Sequence, residues 1–234
     1  MLNDLFAYVV VFTVLIVGIT AYIENTKYKN SSYGKQSTRS FWNILNDKGA
    51  RGEYRMSELL DKSSLEKKLL FNVYIPKKKE DDTTEIDIIM ICRKGIYVLE
   101  NKNYSGWIFG SEKDRRWCET LNGKKYFFYN PIRQNNTHIK YLEKLLQIGE
   151  EKYTSLITFN SSANLKKITV ESENVYVIAY NSLSKFLKNE KAKPDRLTSE
   201  EINQLYERLL PLTQVTEAQK QQHIDNIKKK YQKR

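Results

Sequence analysis

A mixed α/β domain, with a central β-sheet flanked by helices, is the fold class this sequence predicts, with one N-terminal transmembrane helix before it and C-terminal helices after it. Three observations predict it. An uncharged apolar run occupies residues 5–23, short runs rich in β-branched and aromatic residues recur from residue 71 onward, and helix start signals stand at Asn130-Pro131 and at Thr198.

The first element is the apolar run, LFAYVVVFTVLIVGITAYI, in which 16 of 19 residues are apolar and none is charged. As a helix it would be roughly 28 Å long, close to the hydrocarbon thickness of a bilayer. A cleaved signal peptide is the competing reading, since Thr20 and Ala21 are small. Against it, only Asp4 and no Lys or Arg precedes the run. Lys27, Lys29, Lys35 and Arg39 follow, against Glu24, and by the positive-inside rule this leaves the rest of the chain in the cytoplasm. The expected organisation is an anchor at 1–23, a polar Asn/Ser/Lys-rich linker at 24–47, the α/β domain at 48–190 and a helical, basic tail at 191–234.

Within the domain a helix is expected from about Ala50 to Leu70, with Glu53, Ser57 and Leu60 along one line. Strands follow at 71–75, 86–92, 95–101 and 107–109, with a charged loop, KKKEDD (77–82), between the first two. Asn130 and Pro131 are a cap and a first helical residue, and the helix they open runs through Leu146. Further strands are expected at 156–159, 167–170 and 175–180, and a short helix at 183–188. The Thr198-x-x-Glu201 capping box opens another helix, and a last one covers 215–231.

The runs at 86–92 and 95–100 are apolar at nearly every position, as strands buried on both faces are. Charged residues within or beside them therefore need a reason: Asp87, Glu100 and Lys102. If Lys94-Gly95 is a two-residue hairpin loop and Arg93 pairs with Ile96, Asp87 faces Lys102 and Ile89 faces Glu100. All three charged side chains then share a face near the open end of the hairpin. Two carboxylates at close range suit a hard divalent cation, Mg²⁺ or Mn²⁺, and a Lys beside it can act on water or on a phosphate. The alternative is a buried Asp–Lys pair with Glu100 reaching solvent at the strand end.

At this point the chain resembles a known family. Gly52-Glu53, EIDIIM (85–90), GIYVLENKNYSG (95–106) and NPIRQN (130–135) occur in the order seen in the nuclease-related (NERD) domain, which is similar to restriction-endonuclease-like nucleases with a D…E-x-K core. The resemblance covers roughly residues 48–185. It implies Asp87 and Glu100 as metal ligands, Glu53 as a further acidic residue at the metal, Lys102 as the catalytic lysine, and Gln134 as the helical glutamine near the scissile phosphate. The pattern departs at Ile88, where the family often has His. His138, four residues after Gln134, stands where related nucleases often have an aromatic residue; a polar helix-face His is the alternative reading.

The formal charge of +11 favours an anionic partner, nucleic acid or acidic lipid. The resemblance implies nucleic acid, DNA rather than RNA. A non-catalytic binding or scaffold domain is the alternative to a nuclease, and the basic tail, Lys228–Lys230 with Lys233 and Arg234, suits anionic lipid. Two cysteines, Cys92 and Cys118, make no disulfide framework and no zinc site. Two histidines without a companion nucleophile make no hydrolase triad, and no phosphate-binding G-x-x-x-x-G-K-[ST] loop occurs. Tyr104, Gly106, Trp107 and Trp117 read as core packing and a tight turn, with stacking on bases as the alternative; His223 reads as a surface residue.

Overall fold

The computed structural model describes residues 2–77 and 82–232, excepting the side chains of 2–4 and 230–232. The chain forms two compact units, Met1–Asp61 and Lys62–Arg234.

In the first unit, α1 (Leu2–Asn30) contains the one helix among the described residues long and apolar enough to cross a membrane, Leu5–Asn30. The apolar side chains of residues 5–20, Phe6 and Phe12 among them, stand exposed. The stretch 24–47, expected as a polar linker, is largely helical: α1 continues to Asn30, and α2 (Ser32–Gln36) and α3 (Phe41–Asn46) follow. Serine caps start both short helices, Ser31 Oγ accepting from Gly34 N at 3.0 Å and Ser40 Oγ from Asn43 N at 3.3 Å. Aromatic residues scattered through a polar composition supply the packing. Tyr28, Tyr33 and Phe41 gather round Tyr54 of α4 (Lys48–Lys62), with Tyr28 edge-on to Tyr54 at 5.3 Å.

Helix α4 ends at Lys62, short of the expected Leu70, and Leu69 and Leu70 belong to a strand. In chain order the second unit has β1 (Lys67–Pro76), β2 (Thr83–Cys92), β3 (Gly95–Lys102), β4 (Gly106–Ser111), β5 (Arg116–Leu121), β6 (Lys124–Tyr129) and α5 (Pro131–Leu146). There follow β7 (Tyr153–Phe159), β8 (Ala163–Thr169), β9 (Val175–Ala179), α6 (Leu183–Lys191), α7 (Ser199–Leu209) and α8 (Glu217–Gln232). Most of the KKKEDD loop, and Lys233 and Arg234 of the tail, lie outside the described residues.

The strands make two sheets where one was expected. A five-stranded mixed sheet has the order β1-β2-β3-β7-β9, antiparallel from β1 to β3 and parallel from β3 to β9. A four-stranded sheet has the order β6-β5-β4-β8. Strands β5 and β6 had no counterpart in the sequence reading, although Asn122-Gly123 between them is a strong hairpin signal; both residues have positive φ, 51° and 75°. Helix α5 starts and stops as expected, with Asn130 Oδ1 accepting from Ile132 N at 2.9 Å. The reciprocal capping box of Thr198 and Glu201 opens α7.

Two corrections bear on the site. The β2–β3 loop is Arg93-Lys94, closed by Cys92 opposite Gly95, so the pairing is displaced by two residues from the expected one. Gly95 has φ 120°, and a Cβ there would meet the Lys152 carbonyl at 2.5 Å, which explains why glycine ends the turn. His223 is buried rather than on the surface, its Nδ1 2.9 Å from Thr83 Oγ1 and its ring edge-on to Tyr74 at 5.4 Å.

The main core lies where α5 and α7 cover the five-stranded sheet. Ile89, Ile91, Ile96 and Val98 meet Ile139, Leu142 and Leu146 of α5, with Ile202 and Leu205 of α7.

Candidate active site

The displaced register keeps the expected face assignment, because a shift of two leaves the pleat in phase. Ile89 now pairs with Val98 and Ile88 with Leu99. One step further along, Asp87 comes across from Glu100, in place of the expected Lys102. Val98, Glu100 and Lys102 alternate along β3 on the face that α5 covers, and Ile91, Ile89 and Asp87 alternate likewise on β2.

Asp87 sits where both ladders break. Pairing of β1 with β2 passes from Phe71↔Ile88 to Val73↔Ile86, skipping the step where Asn72 and Asp87 meet. Asn72 there has φ 50°, a left-handed conformation that Asn tolerates better than most residues. On the other side the Asp87 side chain takes over the role of a ladder bond, Oδ2 accepting from the backbone N–H of Asn101 at 2.8 Å.

Glu100 is 2% exposed, so it does not reach solvent. Its Oε1 accepts from Lys102 Nζ at 2.7 Å and from Gln134 Nε2 at 2.8 Å. Lys102 Nζ also donates to Gln134 Oε1 at 2.9 Å, closing a ring of carboxylate, ammonium and amide. Oε2 of Glu100 is buried without a hydrogen bond; His138 Nε2 lies 3.3 Å away, out of line for one. His138 is held on its other side by Thr84 Oγ1, 2.8 Å from Nδ1. Burial pushes the Glu100 carboxyl up, but the Lys102 ammonium and His138 outweigh it and hold it below the usual carboxylate range. Burial likewise lowers Lys102, and the Glu100 carboxylate overcomes this and raises it. At neutral pH the pair is carboxylate and ammonium.

The structure therefore brings together four of the five expected residues: Asp87, Glu100, Lys102 and Gln134. Glu53 lies on α4 in the first unit, where its carboxylate neighbours Tyr33; burial first, and then Glu53, drive the Tyr33 hydroxyl pKa upward. His138 joins the site rather than a solvated helix face. Its four-residue spacing from Gln134 was the signal for it, whereas nothing local marks Thr84. Asn135, inside the NPIRQN run, is buried and ties α5 to the sheet, donating to Val98 O at 2.7 Å and Ser155 Oγ at 2.9 Å. Asn130 clamps the β4–β5 connection, donating to Ser111 O, Glu112 O and Asp114 O. Both hold the helix that carries Gln134 and His138.

A family model described as the nuclease-related domain (NERD) matches residues 48–160. An uncharacterized protein of Bacillus anthracis, pXO1-01, is 32% identical over 186 residues, covering 80% of this chain and 86% of that one. The chain belongs to the nuclease-related domain family. A crystal structure of a protein of unknown function, AF1548, aligns over 76% of this chain and 96% of its own, with 11% identity and a TM-score of 0.33, a likeness too weak to carry an argument. Among the described residues no group of three or more His, Cys, Asp or Glu is spaced to hold a metal ion. For a NERD domain the donors at this site are two hard carboxylates, and one buried Glu100 oxygen has no hydrogen bond. That set fits an ion such as Mg²⁺, which takes one or two protein carboxylates and completes its shell with water and phosphate oxygens.

Proposed function

We propose that this chain is a membrane-anchored, divalent-metal-dependent nuclease that hydrolyses phosphodiester bonds of DNA on the cytoplasmic face. The observation that carries the reading is the buried Glu100 oxygen without a hydrogen bond, beside a lysine and a glutamine, in a chain of the nuclease-related family. Asp87 and Glu100 would hold the ion. A bound Mg²⁺ or Mn²⁺ supplies Lewis-acid activation of water and of the phosphate. Lys102, held as an ammonium by Glu100, offsets negative charge developing on the phosphate rather than taking a proton. Gln134 bridges Lys102 and Glu100 and orients both toward the scissile group. The basic excess neutralises backbone phosphates, so binding weakens steeply with salt. Lys27, Lys29, Lys35 and Arg39 after the apolar helix support the cytoplasmic orientation.

The test is cleavage of plasmid and linear DNA by the full-length chain in detergent, with Mg²⁺ or Mn²⁺. Wild type should cleave, and Lys102→Ala should lose about a hundredfold or more. Equal rates in the two would mark the cleavage as contamination and remove the mechanism.

A second reading, a non-catalytic nucleic-acid-binding or scaffold domain, is favoured by the missing third acidic group among the described residues. Calorimetry separates the two: heat of Mg²⁺ binding that disappears in Asp87→Asn supports the nuclease, and DNA binding with no Mg²⁺ heat supports the scaffold.

A further inference from the structure

The four-stranded sheet buries one face and leaves the other open. Inward go Ile108, Trp117 and Phe128, packed with Phe159 of β7. Outward go their alternates, and the pairing aligns them in rows. Trp107 stands across from Thr120, which stands across from Lys125. In the next row Lys167, Phe109, Cys118 and Phe127 follow one another across all four strands. Arg116 and Tyr129 begin a third row. Trp107 is 52% exposed and Phe127 57%. Rings of that size left in water on one sheet face, on β4 and on β6 with β5 between them, call for a partner.

The charges on this face are all of one sign and sit among the rings. Lys166 Nζ lies over the Trp107 ring at 4.8 Å, and the Arg116 guanidinium over Phe127 at 5.5 Å. None of the residues in these rows is acidic; Glu119 of β5 turns inward and accepts from Ser105 N at 2.8 Å. Flat π faces with cations between them complement a polyanion whose bases are unpaired and can stack, and a sheet surface presents them at regular intervals. A bilayer-inserting face would instead separate an apolar side from a charged side. The face also begins close to the chemistry in the chain, since β4 starts four residues after Lys102.

We propose that the open face of the four-stranded sheet binds single-stranded DNA, with Trp107 and Phe127 stacking on bases and Lys125, Lys166, Lys167 and Arg116 meeting phosphates. The commitment to DNA rests on the nuclease reading above; the platform itself does not need turnover. The experiment uses the full-length chain in detergent with EDTA, titrated into fluorescein-labelled oligo-dT, an equal-length DNA duplex, oligo-rU, and vesicles of phosphatidylserine and phosphatidylcholine. Trp107→Ala and Phe127→Ala should each weaken oligo-dT binding about tenfold or more and change duplex binding little. Combined Lys125→Gln and Lys167→Gln should flatten its salt dependence. Wild type offers a readout without substitution: Cys92 is buried and Cys118 partly exposed, so oligo-dT should slow alkylation of Cys118. Unchanged oligo-dT affinity in folded Trp107→Ala and Phe127→Ala, with no protection of Cys118, overturns the platform. So does a preference for oligo-rU, or losses that fall on vesicle binding instead. A wild-type chain that never cleaves but whose oligo-dT binding depends on Trp107 rejects the nuclease and keeps the platform.

Discussion

Helix α5 crosses one face of the five-stranded sheet, and its two halves meet very different surfaces. The later half presents Ile139, Leu142 and Leu146 to Ile89, Ile91, Ile96 and Val98, all buried and all apolar. The earlier half presents Gln134 and His138 to Glu100 and Lys102. Burying each aliphatic side chain of the apolar half contributes roughly 1.5–3 kcal/mol. The polar half buries a carboxylate and partly buries an ammonium, whose attraction about offsets their lost hydration. One half holds the helix in place, and the other can keep a charged cluster because it does.

The largest effect should come from unbalancing the polar half. Glu100→Ala leaves the part-buried Lys102 ammonium without its carboxylate and should cost about 3–5 kcal/mol in denaturant unfolding of the detergent-solubilised chain. Glu100→Leu combined with Lys102→Met removes both charges and should be less destabilised than the single variant. A double variant worse than the single would mean the pair stabilises the fold outright, and the contrast between the halves would collapse.

Next in size is the apolar half. Leu142→Ala should cost about 3 kcal/mol by leaving a cavity between helix and sheet. With Asp87, Glu100 and Lys102 untouched, Mg²⁺ binding by calorimetry should persist at temperatures where the variant is folded. Loss of metal binding in the folded variant would show that the halves are coupled.

The smallest effect, and the sharpest for the pair, is its pH dependence. Glu100 is held below its ordinary value of 4.5, so its contribution is complete above that pH and is lost as pH falls through the lowered value. Lys102 is raised above 10.5, so its contribution is complete below that pH and is lost as pH rises through the raised value. Stability of the wild type relative to the double variant should be flat between these limits and decline at both ends. A difference that stays constant through both ends would show that neither group gains from the pairing.

Much of this was legible in the residues. The two strands that carry the cluster are almost wholly apolar, so Asp87 and Glu100 stood out as charges needing a purpose, and alternation along β3 put Glu100 and Lys102 on one face. The pairing differs from the expected one by two positions because Arg93-Lys94 and Lys94-Gly95 are both plausible loops. The Lys152 carbonyl, 57 residues away in sequence, comes too close to Gly95 for a Cβ, a contact that local pattern does not record. Residues 24–47 looked like a tether because polar residues outnumber aromatic ones there, yet Tyr28, Tyr33 and Phe41 are enough to build a small core with Tyr54. Strands β5 and β6 lack a plain alternation because their outward faces carry Lys, Arg and aromatic residues where a half-buried strand usually has plain polar ones.

By itself the sequence determined the apolar helix, the caps of α5 and α7, and the charged residues that share a face of β3, because each depends on neighbours within a turn or a strand. Only the tertiary structure decided that Asp87 opposes Glu100, that His138 and Thr84 close the polar cluster, and that an aromatic, basic face of a second sheet stays open. Those arrangements depend on which distant segments pack together, and local pattern carries no record of that choice.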